Sequence, residues 1–292
     1  MHILITGASG FVGQALVRLA LAKGHSITAL VRDGAPTPAG ARSLTHSLGS
    51  GAALALPAGI DAVAHLAQSR AFRAFPGDAE EMHRVNVTGA HELLKAAAEA
   101  RVSRFCLVSS GSVYEPFTTA LHEDAALSPA SNLGATKLAA EVLAKPYGTL
   151  FPLSILRVFS PYGPGQHDRL IPDLIRRVRG GLAVTLPAEG GGMSFAPTFV
   201  DDLCEAMLVA LVERWSGVFN VAAPEALSIE EATCLIGKAL DRTPVFARAA
   251  QPDVKNRPSV IVPELARLAA RYDLRSFRSF AEGLQATLSG ER

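Results

Sequence analysis

Three glycines near the start of the chain have the spacing of a phosphate-binding loop. Gly7, Gly10 and Gly13 stand between a β-rich apolar run and a run with helical periodicity. Glycine permits a tight turn and a close approach of backbone amides to a pyrophosphate, and the N-terminus of the next helix adds partial positive charge. A tight turn without a ligand is the alternative. The pattern predicts that a dinucleotide pyrophosphate is held by Gly7, Ser9, Gly10, Phe11, Val12 and Gly13.

Two residues of opposite charge follow the second apolar run, at Arg32 and Asp33. A carboxylate at this place in a dinucleotide-binding fold favours the free 2′-hydroxyl of NAD, whereas a guanidinium favours the 2′-phosphate of NADP. Arg32 is nearer to the strand than Asp33. The sequence therefore favours NADP, with NAD as the alternative and a solvated strand end as a third interpretation of Arg32.

Ser110 follows the apolar run Arg104 to Ser109. A hydroxyl at the carboxyl end of a central strand lies where doubly wound sheets bind their ligands. The alternative is that the hydroxyl caps the backbone that follows it. Ser110 is therefore a candidate for direct contact with a substrate.

The elements that must position these residues alternate along the first 160 positions. We predict strands at His2 to Thr6, Ser26 to Arg32, Ala62 to Leu66, Arg104 to Ser109 and Leu153 to Phe159. Helical spacing separates them, most clearly at Phe11 to Lys23 and Val87 to Ala100. This alternation is typical of an α/β, Rossmann-type doubly wound parallel sheet. The stretch from Gly34 to Ile60 shows no clear period.

The character of the chain changes after Phe159, where the turn-rich segment Ser160 to Gly165 begins. We predict a dinucleotide-binding domain at 1–159, to which 199–223 returns with the apolar run Gly217 to Ala222. A smaller C-terminal substrate-binding lobe is predicted at 160–198 and 224–292.

Composition excludes several classes of function. The 292 residues are 49% hydrophobic and 19% charged, with a net charge of +1, so we expect no nucleic-acid partner. The histidines lack metal-ligand spacing, and we expect no metal. No signal peptide precedes the first predicted strand, and no stretch reaches the roughly 20 apolar residues of a membrane helix. We therefore expect a cytoplasmic enzyme.

The three cysteines lie in apolar stretches, and we interpret them as small core residues: Cys106, Cys204 and Cys234.

Further motifs extend this pattern in order along the chain. They are Asp61 to Ala67, Asn86-Val87-Thr88-Gly89, Ser109 to Tyr114, Lys137 with Glu141, Arg157 to Gly165, Phe199 to Leu203 and Val218 to Val221. With them the chain resembles the extended short-chain dehydrogenases, the NAD-dependent epimerase/dehydratase group.

The resemblance implies hydride transfer between a nicotinamide and a carbon that bears oxygen, usually on a nucleotide-linked sugar. It implies that Ser110 hydrogen-bonds the reacting oxygen, and that Lys137 binds the nicotinamide ribose and lowers the pKa of a neighbouring phenol. Leu66 and Ala67 join the cofactor site. The candidate substrate residues are Ser112, Tyr162 and Arg257. The helices around Val87 to Ala100 and Lys137 to Leu143 resemble those that pair in family homodimers, although their apolar stripes could pack within one chain.

The chain departs from the family pattern at the catalytic phenol. The Tyr-x-x-x-Lys motif appears here as Leu133-Gly134-Ala135-Thr136-Lys137, and leucine cannot transfer a proton. General acid–base catalysis is worth typically about 10²- to 10⁴-fold, so turnover demands a substitute. The candidates are Tyr114, Tyr162, His167, Asp168, or a water held by Ser110 and Lys137.

Two other departures concern the substrate. Several sugar-nucleotide members carry Arg-Asp-Tyr where this chain has Phe195-Ala196-Pro197, so a diphosphate-binding arginine is missing. The dehydratase members place an Asp-Glu pair after the catalytic hydroxyl, where Gly111-Ser112 stands here. This second difference argues against a 4,6-dehydratase.

Three hypotheses follow. The first is an NADP- or NAD-dependent reductase or epimerase that acts on a hydroxy or keto group of a sugar-like compound, nucleotide-linked or free. The second, motivated by Leu133, is a non-redox cyclase, isomerase or lyase on the same scaffold. The third is a catalytically silent dinucleotide-binding protein, which the retention of Ser110 and Lys137 disfavours.

Overall fold

The computed structural model describes residues 1–72, 74–117, 121–250 and 260–290. It divides into two compact units, each assembled from separated stretches of chain. The first contains Met1–Pro116, Ala126–Val158 and Cys204–Asn220, and the second contains Phe117–Ala125, Phe159–Leu203 and Val221–Arg292.

The described strands run in chain order as follows. They are β1 (His2–Thr6), β2 (Ser26–Val31), β3 (Arg42–Thr45), β4 (Ala62–His65), β5 (Arg104–Ser110), β6 (Leu153–Val158), β7 (Pro161–Tyr162), β8 (Val184–Leu186), β9 (Ser194–Phe195), β10 (Thr198–Phe199), β11 (Gly217–Val221), β12 (Leu227–Ser228), β13 (Phe246–Arg248) and β14 (Val260–Ile261).

The described α-helices are α1 (Phe11–Ala22), α2 (Ala79–Met82), α3 (Gly89–Glu99), α4 (Asn132–Ala144), α5 (Leu170–Arg179), α6 (Val200–Val212), α7 (Ile229–Leu240), α8 (Ala266–Ala269) and α9 (Phe280–Ser289). A π-helical turn covers His83–Thr88, and 3₁₀ turns cover Gly111–Tyr114, Lys145–Thr149 and Leu274–Ser276. Within the described residues, no helix is long and apolar enough to cross a membrane.

A seven-stranded sheet in the order β11-β6-β5-β4-β1-β2-β3 organises the first unit. The pairs from β6 through to β3 are parallel, with Ile3 opposite Ile27 on one side and Ala62 on the other. Successive residues of β1 are buried from Ile3 to Thr6, as they are in a sheet covered on both faces. The predicted Rossmann-type α/β class is confirmed.

Within the seven-stranded sheet, β3 is the strand that sequence patterning missed. It lies within the stretch that showed no period, at the edge of the sheet, and pairs in parallel with β2 from Thr28–Arg42 to Val31–Thr45. Three of its four residues are exposed and the fourth is half-buried. Because so few of its residues are buried, this edge strand lacks the alternation of apolar and polar residues that marks a half-buried strand. Only its hydrogen bonding to β2 defines it as a strand.

Each unit has its own apolar core. In the first, Phe105 stacks on Phe151 with ring centroids 5.7 Å apart, inside a cluster that includes Leu4 and Leu93. In the second, Tyr162 and Phe280 pack with centroids 5.2 Å apart.

Candidate active site

The glycine loop between β1 and α1 fits a bound pyrophosphate. Gly7 has a φ of +67°, which favours glycine, and the loop closes through a hydrogen bond from the Gly10 amide to the Gly7 carbonyl at 2.9 Å. A Cβ atom at Gly13 would lie 2.1 Å from the Gly7 carbonyl oxygen. Any side chain at Gly13 would therefore push the first turn of α1 away from the loop.

The backbone at Leu66 and Ala67 lies against this loop. A Cβ atom at Gly7 would come within 2.9 Å of the Ala67 nitrogen. The Ala67 amide also donates a hydrogen bond to the Thr6 hydroxyl at 3.1 Å. The structure thus brings together two segments that the sequence assigned to one cofactor site.

His65 holds this junction from inside the sheet. Its Nδ1 atom is 2.7 Å from the Thr6 hydroxyl, and its side chain is 2% exposed. Burial, together with the positive charge of Lys137, lowers the pKa of His65 to about 3. The imidazole is therefore neutral at physiological pH, which suits a structural hydrogen bond.

Arg32 and Asp33 are the first two residues after β2, and both are exposed. Among the described residues, Arg32 has no ion pair with a carboxylate.

Ser110 is the last residue of β5 and begins the 3₁₀ turn Gly111–Tyr114. Its Oγ atom accepts a hydrogen bond from the Ser112 amide at 3.1 Å. The cap considered as an alternative role is therefore present. This hydrogen bond uses only a lone pair of the Ser110 oxygen. The hydroxyl proton stays free of it, so Ser110 can still donate a hydrogen bond to a substrate oxygen.

α4 brings Lys137 to the carboxyl end of β5. The Ser131 hydroxyl caps the helix by accepting from the Gly134 amide at 3.1 Å. A Cβ atom at Gly134 would lie 2.3 Å from the Ser112 carbonyl oxygen, so glycine allows the helix to approach the turn that follows Ser110. The Asn86 amide group adds a hydrogen bond to Thr136 at 3.1 Å.

The Lys137 amine is buried beside the strand, with its side chain 6% exposed, and donates a hydrogen bond to the Val108 carbonyl at 2.9 Å. Burial lowers the pKa of Lys137 to about 8, although the negative charge of Glu141 opposes the shift. The amine therefore changes charge close to physiological pH.

A buried ion pair lies next to Lys137. Arg157 of β6 binds Glu141 with its Nη2 and Oε2 atoms 2.7 Å apart, and Ser109 donates to the same carboxylate. Burial opposes the charge of Arg157, but its hydrogen bonds to Glu141 prevail and raise its pKa. Sequence patterning could not pair these residues, since the i, i+4 spacing suggests Lys137 as the partner of Glu141.

The comparisons with known proteins agree with this geometry. Residues 3–222 match the NAD dependent epimerase/dehydratase family. The chain belongs to the NAD-dependent epimerase/dehydratase family. It is therefore an enzyme of that family, as the motifs predicted.

Two curated relatives and one solved structure illustrate the family. The low-salt glycan biosynthesis protein Agl12 of Haloferax volcanii is 32% identical over 253 residues, which are 80% of each chain. A dTDP-glucose 4,6-dehydratase of Streptomyces griseus is 30% identical over 255 residues, which are 80% of this chain and 77% of the relative. MoeE5, solved in complex with UDP-glucose and NAD, is 29% identical with a TM-score of 0.83, covering 100% of this chain and 99% of that one.

The sequence predicts that Leu133 stands at the motif position of the phenol, one helical turn before Lys137. Leu133 is half-buried in the first turn of α4. The helix that carries Leu133 also carries Lys137, and the replacement of a phenol at Leu133 stays a prediction from the sequence.

Neither of the two tyrosines considered as substitutes has a free phenol. The Tyr114 hydroxyl donates to Asn220 Oδ1 at 2.8 Å and accepts from Arg157 Nη1 at 2.8 Å, within the buried network. Tyr162 lies in the core of the second unit, where its hydroxyl donates to the Phe280 carbonyl at 3.2 Å. Burial raises the pKa of Tyr162. Both phenols are thus engaged in packing and hydrogen bonding.

The remaining predicted site residues are distributed over both units. Ser112 is half-buried in the turn after Ser110, whereas His167 and Asp168 are exposed in the second unit. Tyr162, predicted to meet substrate, is 1% exposed. Arg257 lies outside the described residues. Phe195, which stands in place of the family arginine, is fully buried in the core of the second unit.

Proposed function

We propose that this chain is an NAD(P)-dependent oxidoreductase or epimerase that acts on a hydroxyl or keto group of a sugar-like substrate. The observation that carries the proposal is the grouping of the glycine loop, Ser110 and Lys137 in the first unit, at the carboxyl ends of its parallel strands. Nucleotide-linked sugars are the first substrates to test, because MoeE5 was solved with UDP-glucose.

The residues of this chain fit a dinucleotide. The amides of the glycine loop and the N-terminus of α1 would hold the pyrophosphate, and Lys137 would bind the nicotinamide ribose. When bound, the dinucleotide supplies the hydride acceptor or donor. Ser110 would donate its hydroxyl proton in a hydrogen bond to the substrate oxygen, which stabilises the charge that develops there.

The preference between the two dinucleotides depends on Arg32. We propose that its guanidinium favours NADP, since it is exposed at the end of β2 and lacks an ion-pair partner among the described residues. The NAD bound in the MoeE5 structure supports the alternative, in which Asp33 selects the free 2′-hydroxyl. Titration of the purified chain with each dinucleotide separates these two cases.

The experiment that tests the proposed function begins with the purified full chain. After denaturation, any released dinucleotide is identified by mass spectrometry. The native chain is then supplied with each dinucleotide and a panel of UDP- and dTDP-sugars and free keto sugars, and the absorbance of reduced nicotinamide and the sugar products are followed. Interconversion of epimers or a change in absorbance is expected. Failure to bind either dinucleotide at millimolar concentration would contradict the proposal.

Leu133 favours a second candidate, a non-redox cyclase, isomerase or lyase in which the dinucleotide shapes the site but does not react. A bound dinucleotide with product formation and no transient reduction under rapid mixing would support it. A bound dinucleotide with no turnover on any substrate would support the catalytically silent alternative.

We also propose a homodimer that forms through α4. An apolar groove runs along this helix, lined by Ser128, Pro129, Ala135, Leu138, Ala139, Val142 and Leu143. Val142 is 54% exposed, and a second copy would cover it. Val142→Glu should shift the chain to the monomer in analytical ultracentrifugation. Val212→Glu, at an equally exposed valine on α6, should not. A cytoplasmic location stays a prediction from the sequence.

A further inference from the structure

The buried amine of Lys137 has hydrogen-bonding capacity beyond the one hydrogen bond that it makes among the described residues. Its Nζ atom donates to the Val108 carbonyl at 2.9 Å. An ammonium has three donor protons, whereas a neutral amine keeps two and gains a lone pair. The single contact is compatible with both forms, and in both forms the nitrogen retains a group for a ligand.

Among the described residues, no carboxylate forms an ion pair with this amine alone. Glu141, one turn later on α4, binds Arg157 through both of its oxygens and accepts from Ser109. From β4 the neutral ring of His65 faces the same interior. The charge of Lys137 is therefore partly but not fully compensated, which explains why burial lowers its pKa to about 8.

In the first unit, the phenol that was considered as a substitute is already engaged. Tyr114, in the turn after Ser110, shares its phenol with Asn220 and Arg157. Leu133, one turn before Lys137, has no titratable group. Within the described part of the first unit, the buried amine is the group at this position that can both accept and release a proton.

We propose that the amine of Lys137 is itself the acid–base group of this chain, in place of the phenol that Leu133 lacks. This inference rests on the proposed function. When a substrate alcohol is oxidised, its O–H bond breaks and the proton goes to the lone pair of the neutral amine, directly or through one water. The electron pair of the C–H bond leaves as hydride to the bound nicotinamide, and a C=O bond forms. In the reverse direction, the ammonium returns the proton.

The sign of the pH dependence distinguishes this role from a positioning role. Oxidation requires the neutral amine, so kcat should rise with pH and level off above the pKa of Lys137, and reduction should show the opposite trend. A lysine that only holds the ribose requires its charge. In that case the affinity for the dinucleotide would fall above this pKa while kcat in the saturated complex would not rise.

The kinetic test compares Lys137→Arg with the parent chain on a substrate that the parent turns over. A guanidinium keeps the charge but cannot act as a base at these pH values, so we expect kcat for oxidation to fall by about 10²-fold or more. In the double variant Lys137→Arg/Leu133→Tyr, kcat for oxidation should be at least tenfold higher than in Lys137→Arg, because the tyrosine supplies a phenol. Leu133→Phe in the same background should not. Lys145→Arg, at an exposed lysine just after α4, is the matched control and should leave the profile unchanged.

A measurement independent of turnover follows the protonation of Lys137 directly. Chains labelled at lysine Cε are titrated by NMR, and the Lys137 signal is assigned by its disappearance in Lys137→Arg. We expect its transition near pH 8, well below the ordinary lysine value of 10.5. Thermal unfolding of each variant verifies that it has folded.

The outcomes separate this inference from the proposed function. Turnover by the parent with a kcat profile that Lys137→Arg leaves unmoved would overturn the acid–base role alone, as would titration of Lys137 together with the exposed lysines. Failure of the parent to turn over any sugar in the panel would overturn the proposed function, and the acid–base role with it.

Discussion

The glycine loop and the first turn of α4 differ in how completely they carry the motifs that the resemblance predicts. In the loop, Gly7, Gly10 and Gly13 are all present and the structure leaves no room for a side chain at Gly13. In α4, Lys137 is present, and Leu133 stands where the resemblance predicts a phenol. We propose from this comparison that the elements for cofactor binding and those for proton transfer change separately. A complete glycine loop is therefore stronger evidence for dinucleotide binding than for any particular reaction.

The largest effect should be the loss of dinucleotide affinity when a side chain is added at Gly13 of the glycine loop. Gly13→Val places a side chain where a Cβ atom alone would be 2.1 Å from the Gly7 carbonyl oxygen. Losing two charge-assisted hydrogen bonds to the pyrophosphate, at about 1.5–3 kcal/mol each, should weaken dinucleotide binding by about 10³-fold. Titration calorimetry measures the change.

Gly148→Ala is the control for this variant. Gly148 is exposed and a Cβ atom there would be 4.0 Å from its nearest neighbour, Leu153 Cβ. The affinity of Gly148→Ala for the dinucleotide should equal that of the parent chain. Equal affinity in Gly13→Val would show that the loop does not hold the pyrophosphate.

The next largest effect should be a loss of kcat when the hydroxyl of Ser110 is removed. Ser110→Ala removes the hydroxyl that would donate to the substrate oxygen, and the loss of one such donor costs on the order of 10²-fold in kcat. The dissociation constant for the dinucleotide should stay within about twofold, because the loop is untouched. Steady-state kinetics and a binding titration on the same preparation report both values. Ser43→Ala, on the exposed edge strand β3, should change neither.

The central sheet was predictable because its strands carry their own signal. β1, β4 and β5 are short apolar runs whose burial on both faces makes them nearly continuous in hydrophobicity. β3 lacked that signal, since most of its residues face solvent. The glycine loop was predictable for a similar reason, because residue type and spacing suffice to describe it.

The buried network around Glu141 could not be predicted in the same way. Tyr114, Arg157 and Asn220 are separated from one another by 43 to 106 positions, and only the folded sheet brings them together. The sequence accordingly left Tyr114 open as a proton donor, whereas the structure shows its phenol engaged at both lone pair and proton. The cofactor and substrate roles of the individual residues stay predictions.

His65 connects the two regions, since it bonds Thr6 beneath the loop and lies near the charge of Lys137. Its pKa is lowered from 6.5 to about 3, so the folded state binds fewer protons than the unfolded state between those values. Stability should therefore be complete above about pH 6.5 and fall as the pH falls towards 3, by roughly 2 kcal/mol at pH 5.

Urea unfolding at several pH values measures this slope. His65→Gln should reduce it, because glutamine does not titrate. His83→Gln, at an exposed histidine, should keep the parent slope. A parent slope that survives His65→Gln would mean that other groups cause the acid sensitivity.

The smallest effect concerns the choice of dinucleotide. Arg32→Ala should weaken NADP binding by about tenfold, the equivalent of about 1.4 kcal/mol, and leave NAD binding within about twofold. Arg18→Ala serves as the control, at an exposed arginine of α1. If the parent bound NAD more tightly than NADP and Arg32→Ala changed neither, the preference for NADP would be wrong.

The separation of cofactor binding from proton transfer is tested most directly by Leu133→Tyr beside Leu133→Phe. For each variant and the parent, the dissociation constant of the dinucleotide and kcat on the same substrate are measured. We expect equal affinity in all three and a rise in kcat of at least about tenfold in Leu133→Tyr alone, because general acid–base catalysis by a phenol is worth about 10²- to 10⁴-fold. A parent that binds no dinucleotide, or a phenol that changes affinity and not kcat, would contradict it.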